Sequence, residues 1–340
     1  MILIVTGLLV IRFLNKTKID TSKLDECKHS KYFITDVSIE PTVIPKNCDF
    51  SAYGGVVIKE LDKPSCRRVS QYFIADRQRV YKQLYDPGSS NYPSYIIVKE
   101  AEPSAFNNLG LGYYIDTRNL FYDYGETYSI IEGVDVSTIK VISIYFLSDK
   151  NFVYQVNHVK DSYKLIKTKF DPKTFIDVRG GSNYENYFKD SNGAYYNLLH
   201  GRGIDLIQLK NVDIPSFESL PVYLFAKDKS QVFYKGQPLP NVDPDSFEIL
   251  SEGHFKDKNS VYGLSYGEFV KLSGIDSCSY ELIDDPEEYG WEGYSIDKNF
   301  VYYNDKAIPD SDPRSFRLLK NKAFDKNFEY RGLNKIPLQN

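Results

Sequence analysis

The sequence predicts an all-β protein made of eight or nine tandem copies of one short β-hairpin unit of about 36 residues. Two sequence markers recur in phase along the 340 residues, and aromatic residues are abundant, with 29 Tyr and 21 Phe. Aromatic side chains favour strands, because they pack well on a pleated surface. A regular period of this length is typical of solenoids and propellers, in which each unit contacts mainly its neighbours.

The first marker is an Asp-Lys-Asn turn followed by Val-Tyr or Tyr-Tyr. Asp and Asn side chains hydrogen-bond to backbone groups two residues further on and so stabilise tight turns. The marker therefore predicts the turn of a β-hairpin, and the Val-Tyr run opens the next strand. Four clear copies and four weaker ones begin at Asp149, Asp257, Asp297, Asp325, Asp76, Asp116, Asp190 and Asp228.

The second marker is Asp-Pro-x-Ser/Thr-Phe, in which an apolar residue follows the acid by four positions. Asp can cap one helical turn, and Pro suits the first position of that turn. Each unit is therefore predicted to contain about three short strands and one capped turn. The acids of the eight copies, 30 to 42 residues apart, are Asp62, Glu102, Asp135, Asp171, Asp213, Asp243, Asp276 and Asp312.

The arrangement of the units has two alternatives. A β-propeller would have roughly seven or eight blades, usually of four strands. An open, solenoid-like β superhelix is favoured here, because the length of the unit varies. Insertions fall mainly after the Val-Tyr run, and two others lie before a turn, at 179–185 and 284–292. Such insertions are expected to project from one side of a repeat array.

These markers resemble the bacterial DKNYY family, whose pattern is closest in Asp297-Lys298-Asn299-Phe300-Val301-Tyr302-Tyr303. The resemblance covers about residues 32–340, although the copies at Asp76 and Asp116 lack the Lys and the Asn. It implies an exported or lipoprotein-like bacterial protein. It implies no established activity and no catalytic residues.

The N-terminus begins with an apolar segment, residues 1–14. It is shorter than the roughly 20 residues of a membrane-spanning helix and matches the length of a secretory signal core. No Lys or Arg precedes it, so an uncleaved anchor and a buried first strand are the alternatives. The expected organisation is a signal or anchor at 1–14, a spacer at 15–31 and the repeat domain at 32–340. Export, or membrane anchoring with the repeats facing the periplasm or cell envelope, is the expected location.

The four cysteines are Cys27, Cys48, Cys66 and Cys278. They form no CxxC pair, so the spacing of a zinc site is missing. Two interpretations remain: a disulfide between Cys48 and Cys66 in an oxidising compartment, or buried free thiols.

Charge and motif spacing argue against several classes of function. The net charge is −4 without a basic stripe, so no nucleic-acid partner is predicted. The repeated Asp and Asn residues lack the spacing of calcium loops, and the four histidines lack the spacing of metal sites. His254 occupies a position that is Tyr or Phe in other copies and is predicted to be structural. No catalytic residue, metal or cofactor is predicted.

The segment Gly263-Leu264-Ser265-Tyr266-Gly267 matches the G-x-S-x-G pattern of a nucleophile elbow. An elbow requires a strand, a sharp turn and then a helix. Here the motif follows a predicted β-hairpin, so a simple turn is expected.

The most distinctive non-repeating feature is an acidic segment that contains the single Trp of the chain. Trp and Tyr are enriched at binding hot spots. A partner-binding loop is one interpretation, and a solvated loop is the other. The candidate partner-binding residues are Asp284, Asp285, Glu287, Glu288, Tyr289 and Trp291.

The function predicted from these features is non-enzymatic binding of another protein at the bacterial cell envelope, with the membrane reached through the N-terminal segment. An immunity-type protein that neutralises a toxin is one concrete form of this hypothesis. The alternative is a hydrolase of envelope polymers whose carboxylates converge from different repeats.

Overall fold

The computed structural model describes Cys48 and residues 58–84, 95–123, 125, 127–159, 162–178, 186–200, 203–222, 224–251, 253–284, 291–319 and 322–338. The predicted signal or anchor at 1–14 and the spacer at 15–31 lie outside these ranges. Within them, no helix is long and apolar enough to cross a membrane.

The described chain forms eight antiparallel sheets of four strands, and the strands of each sheet are paired in chain order. No α-helix occurs in these ranges. Single 3-10 turns lie at three of the Asp-Pro markers: Lys63–Ser65, Val136–Thr138 and Ile214–Ser216. Two compact units meet in the sequence between Ser219 and Leu220. The predicted all-β tandem repeat is confirmed.

Sheets 1 to 4 come first in the chain. Sheet 1 contains β1 (Arg67–Arg68), β2 (Phe73–Ala75), β3 (Val80–Gln83) and β4 (Tyr95–Ile97). Sheet 2 contains β5 (Asn107–Gly110), β6 (Tyr113–Ile115), β7 (Leu120–Asp123) and β8 (Tyr128–Ile131). Sheet 3 contains β9 (Lys140–Ser143), β10 (Phe146–Ser148), β11 (Val153–Val159) and β12 (Ser162–Lys167). Sheet 4 contains β13 (Ile176–Asp177), β14 (Tyr187–Asp190), β15 (Gly193–His200) and β16 (Gly203–Gln208).

Sheets 5 to 8 follow with the same order of strands. Sheet 5 contains β17 (Glu218–Ser219), β18 (Phe225–Lys227), β19 (Val232–Tyr234) and β20 (Gln237–Pro238). Sheet 6 contains β21 (Glu248–Ile249), β22 (His254–Lys256), β23 (Val261–Ser265) and β24 (Glu268–Leu272). Sheet 7 contains β25 (Glu281–Asp284), β26 (Trp291–Ile296), β27 (Val301–Tyr303) and β28 (Lys306–Ile308). Sheet 8 contains β29 (Arg317–Leu319), β30 (Lys322–Phe324), β31 (Phe328–Arg331) and β32 (Asn334–Pro337).

The core of each compact unit lies between successive sheets. The ring of Phe73 in sheet 1 lies 4.2 Å from that of Tyr114 in sheet 2. The ring of Tyr294 in sheet 7 lies 5.4 Å from that of Phe316, which packs against sheet 8. The prediction that the repeated Tyr and Phe residues pack in the interior is confirmed, since the largest fully buried side chains include Tyr81, Tyr113, Tyr187, Tyr196, Phe106 and Phe188.

The prediction of about three strands per unit is wrong, because each unit has a fourth. The fourth strand comes from the residues between the Val-Tyr run and the next Asp-Pro marker. In sheet 6, β24 pairs with β23 over five residue pairs, from Val261↔Leu272 to Ser265↔Glu268. These fourth strands share no marker residue, so the repeat pattern does not reveal them. Four strands per unit and face-to-face packing are common to propellers and to stacked hairpin arrays.

The strand order gives every sheet two different ends. At one end lie the Asp-Lys-Asn turn, between the second and third strands, and the Asp-Pro turn that precedes the first strand. We call this the turn end. The first-to-second and third-to-fourth connections lie at the other end, the hairpin end. The predicted insertion at 179–185 and most of the one at 284–292 lie outside the described residues.

Candidate functional site

The turn end is organised around the Asp that opens each Asp-Lys-Asn turn, the turn Asp. Asp297 is fully buried, and its Oδ1 accepts hydrogen bonds from the backbone N–H groups of Asn299 (2.7 Å) and Phe300 (2.8 Å). The same pair of bonds forms at Asp76, Asp116, Asp149, Asp190, Asp228, Asp257 and Asp325. The predicted Asx turns are therefore confirmed.

The second oxygen of the turn Asp joins the two sequence markers. Oδ2 of Asp297 accepts the backbone N–H of Asp276 (2.8 Å) and the hydroxyl of Tyr302 (2.7 Å). One carboxylate thus holds its own turn, the strand that follows and the Asp-Pro marker. This shared acceptor explains why the two markers recur in phase, and why a Tyr so often stands five residues after the turn Asp.

The Lys and the Ser of the two markers also meet. The backbone N–H of Lys298 donates to Ser279 Oγ (2.9 Å), and its ammonium lies 2.9 Å from Asp276 Oδ2. The Ser279 hydroxyl donates to Asp276 Oδ1 (2.7 Å). Equivalent Lys–Asp pairs in three other units are Lys150–Asp135, Lys258–Asp243 and Lys326–Asp312.

Two groups of the turn end, the carboxyl of Asp149 and the phenol of Tyr262, have shifted pKa values. Burial by itself would raise the pKa of Asp149, but hydrogen bonds from Asp135 N–H, the Tyr154 hydroxyl and the turn N–H groups leave this pKa below its ordinary value. Burial, followed by the nearby carboxylate of Asp257, raises the pKa of Tyr262 to about 12. Carboxylates that accept several N–H and O–H donors serve the fold. Among the described residues, no group of three or more His, Cys, Asp or Glu is arranged to hold a metal.

The hairpin end joins neighbouring sheets by contacts that differ from one pair to the next. The residue three positions before the turn Asp makes several of them. The Tyr113 hydroxyl donates to the carbonyl of Ile144 (2.8 Å), and the Tyr294 hydroxyl accepts the N–H of Gly332 (2.8 Å).

His254 occupies this same position in sheet 6. Its Nε2 lies 3.0 Å from Asp305 Oδ1 in sheet 7, and its Nδ1 lies 3.3 Å from Ser251 Oγ. Ser251 Oγ also accepts the backbone N–H groups of Gly253 (3.2 Å) and His254 (3.1 Å), so this hydroxyl closes the local turn. These contacts support the structural role predicted for His254. Its ring contacts the carboxylate of Asp305 in the next sheet, whereas the Tyr113 hydroxyl contacts a backbone carbonyl.

A buried ion pair joins sheets 1 and 2 at the hairpin end. Lys82 is fully buried, and its Nζ donates to Asp123 Oδ1 (2.7 Å) and to the carbonyl of Gly125 (2.6 Å). Such a pair requires good geometry to offset the desolvation of both charges. Sequence reasoning missed it, because neither residue belongs to a marker and they lie 41 positions apart.

The Gly263–Gly267 motif forms strand, turn and strand. Its first three residues belong to β23, and Tyr266 and Gly267 form the two-residue connection to β24. Both connection residues have positive φ, 50° and 80°. The predicted turn is confirmed, because a nucleophile elbow would need a helix after the Ser.

The candidate partner-binding residues lie in and around the β25–β26 hairpin. Asp284 and Trp291 are paired across its two strands, close to the connection at the hairpin end. Asp285, Glu287, Glu288 and Tyr289 lie in that connection, outside the described residues. The structure therefore brings two of the six candidates together.

A disulfide joins Cys48 and Cys66, whose Cα atoms lie 6.2 Å apart. Cys278 is also disulfide-bonded. The disulfide interpretation of Cys48 and Cys66 is confirmed, and free thiols are excluded for these three cysteines. Cys66 stands where the second marker usually has Phe, so the first unit has a covalent link at this position of its turn end.

Comparison with known proteins gives a family match for the middle of the chain. No curated protein matches the sequence. Residues 113–266 match the DKNYY family. This stretch runs from the start of β6 to the first residue after β23 and includes five of the turn Asp residues: Asp116, Asp149, Asp190, Asp228 and Asp257. The resemblance drawn from the repeated markers is confirmed over residues 113–266, the part of the chain that matches the DKNYY family.

Proposed function

We propose that this chain is a non-enzymatic binding protein that uses the hairpin end of its sheets to recognise another protein. The observation that carries the proposal is the contrast between the two ends. The turn end repeats one set of hydrogen bonds from unit to unit, whereas connections of varied length and sequence lead from the hairpin end. Repeat scaffolds commonly place their binding loops on one such face.

The chemistry of the β25–β26 hairpin favours a partner with a basic rim. Residues 284–291, which run from the end of β25 to the start of β26, carry four carboxylates together with Tyr289 and Trp291. Charge complementarity orients the approach of a partner, and Trp and Tyr are enriched among the few residues that contribute most to binding. A toxin neutralised by an immunity-type protein is one partner of this kind.

Two features support a non-enzymatic role. The recurring carboxylates, which are the most regular acidic groups of the chain, accept hydrogen bonds within the fold. The Ser of the G-x-S-x-G motif ends a strand and leads into a β-turn. Neither feature supplies a group poised for acid–base or nucleophilic chemistry.

The cysteines and the apolar residues 1–14 support export. Disulfides persist in oxidising compartments and are rare in the cytosol of most organisms. Peptide mapping without reduction, on protein isolated from its native cells, should recover Cys48 linked to Cys66. Recovery of reduced Cys48 from those cells would contradict export.

Paired charge reversals at the two ends test the binding proposal. The full chain would be used as bait in solubilised envelope membranes of the native bacterium. Glu288→Lys lies in the β25–β26 connection, and the matched control Asp245→Lys lies on an exposed Asp-Pro turn at the turn end. We expect one protein to be retained by the wild type and by Asp245→Lys, and to be lost with Glu288→Lys. Retention that is the same for all three baits, or absent from all three, would contradict the proposal.

A further inference from the structure

We infer that Tyr266 is an anchor residue, whose ring enters an apolar cleft on the partner protein. The inference rests on the proposed function and names the residue that would contribute most to binding. It comes from the G-x-S-x-G segment, which the fold uses only as a β-turn.

The first observation is complete exposure. Tyr266 has a relative exposure of 105%, whereas the other exposed aromatic side chains, Phe152 and Phe300, are each 39% exposed. Those two lie at the turn end, where Phe300 packs edge-on to Tyr302. Among the side chains whose exposure the structure describes, Tyr266 is therefore the one aromatic ring that is fully exposed at the hairpin end. A fully exposed Tyr contributes nothing to the core and stands ready for a partner.

The second observation is the backbone. Tyr266 and Gly267 are the two central residues of a β-hairpin turn, and both have positive φ. Such turns favour Asn or Gly, because a side chain with a Cβ is strained in the left-handed region. The equivalent turns of sheets 5 and 7 have Lys235 and Asn304 at this position, with φ 49° and 46°. The turn therefore accepts a long side chain but does not require an aromatic ring, and the ring of Tyr266 is available for contacts outside the fold.

The third observation is that the turn is held in place. The carbonyl of Gly267 accepts the hydroxyl of Tyr234 (2.9 Å) and the ammonium of Lys235 (2.9 Å), both from sheet 5. A ring on a fixed support loses little conformational freedom on binding, because only its own two torsions remain to be ordered. The geometry thus suits an anchor better than a solvated turn residue.

The charges nearby specify the partner. Glu268 follows the turn and is exposed, while the Lys235 ammonium is engaged by the Gly267 carbonyl. A protein cleft with an apolar floor and a basic rim fits this arrangement. A glycan would instead favour a broad aromatic platform, whereas Tyr266 is the one fully exposed aromatic side chain among the described residues of this end.

The test pairs Tyr266→Asn with Phe300→Ser. Each change installs the residue that stands at the equivalent place in a neighbouring unit, Asn304 and Ser260 respectively. A photoreactive phenylalanine at 266 in the full chain, expressed in its native cells, first marks the partner, and the purified cross-linked protein then serves as the probe. We expect Tyr266→Asn to weaken binding about 10- to 100-fold, and Phe300→Ser to leave it unchanged.

Stability provides the second readout. Relief of the left-handed strain should raise the melting temperature of Tyr266→Asn by about 2 °C, so that binding is lost while stability is gained. A fall in melting temperature would show that Tyr266 serves the fold and would overturn the inference, as would unchanged affinity or a cross-link to a polysaccharide. Loss of binding with Glu288→Lys but not with Tyr266→Asn would refute the anchor and leave the proposed function intact. If neither change affected binding, both would be wrong.

Discussion

The two ends of the sheets use polar side chains in different ways. At the turn end, the same acceptor oxygen meets the same two backbone N–H groups in all eight units, from Asp76 to Asp325. At the hairpin end, neighbouring sheets are joined by a buried Lys82–Asp123 pair in one place and by a His254–Asp305 contact in another. The difference indicates that the turn end fixes the fold, which leaves the hairpin end free to vary.

The largest predicted effect follows from removing the carboxylate of one turn Asp. Asp297→Ala removes the acceptor of three backbone N–H groups and of the Tyr302 hydroxyl. Because four hydrogen bonds to a fully buried carboxylate are lost and the Tyr302 hydroxyl stays buried, we expect the free energy of unfolding to fall by about 3–5 kcal/mol, measured by urea denaturation. Tyr266→Asn at the hairpin end is the control and should not destabilise. A loss below about 1 kcal/mol would show that the turn Asp is not the centre of the repeat.

The repeated hydrogen bonds of the turn end could be predicted from the sequence. The contacts of the hairpin end, which differ from sheet to sheet, could not. The phased Asp residues revealed the period and the turns, because one carboxylate joins residues close in sequence. The fourth strands share no marker residue, so their pairing, such as that of β24 with β23, left no regular signal. The Lys82–Asp123 pair depends on the packing of two sheets, which a sequence pattern does not encode. His254 was interpreted correctly because its position could be compared with Tyr113 and Tyr294.

A smaller effect concerns the Tyr that binds the turn Asp. Tyr262→Phe removes the hydroxyl that donates to Asp257 (3.0 Å), and we expect a loss of about 1 kcal/mol at neutral pH. The change is mild because sheets 2 and 5 already have Phe121 and Phe233 at this position. Circular dichroism during urea unfolding would measure it. A loss as large as that of Asp297→Ala would show that the hydroxyl dominates the cluster.

The same substitution changes the response to alkaline pH. The pKa of Tyr262 is raised in the folded protein from 10.0 to about 12, so folding holds the proton more tightly than the unfolded chain does. The stability that this provides is present below pH 10 and is lost as pH rises towards 12. Tyr262→Phe should therefore lose less stability than the wild type between these two values. Parallel pH profiles for the two proteins would contradict the assignment.

The smallest effect concerns the Lys that the marker shares with the family pattern. The Lys298 side chain is 43% exposed, and its ammonium pairs with Asp276. Exposed pairs of this kind contribute little, so Lys298→Ala should cost about 0.5 kcal/mol or less, and the difference should shrink in high salt. Lys271→Ala, at an exposed position on β24, is the control. A loss above about 1 kcal/mol would assign the Lys a larger structural role than an exposed ion pair provides.

The natural copies argue for the small value: Asp116 and Asp190 are followed by Thr and Ser, yet both keep the two turn hydrogen bonds. The turn depends on the carboxylate, and the Lys contributes only an exposed ion pair to its stability.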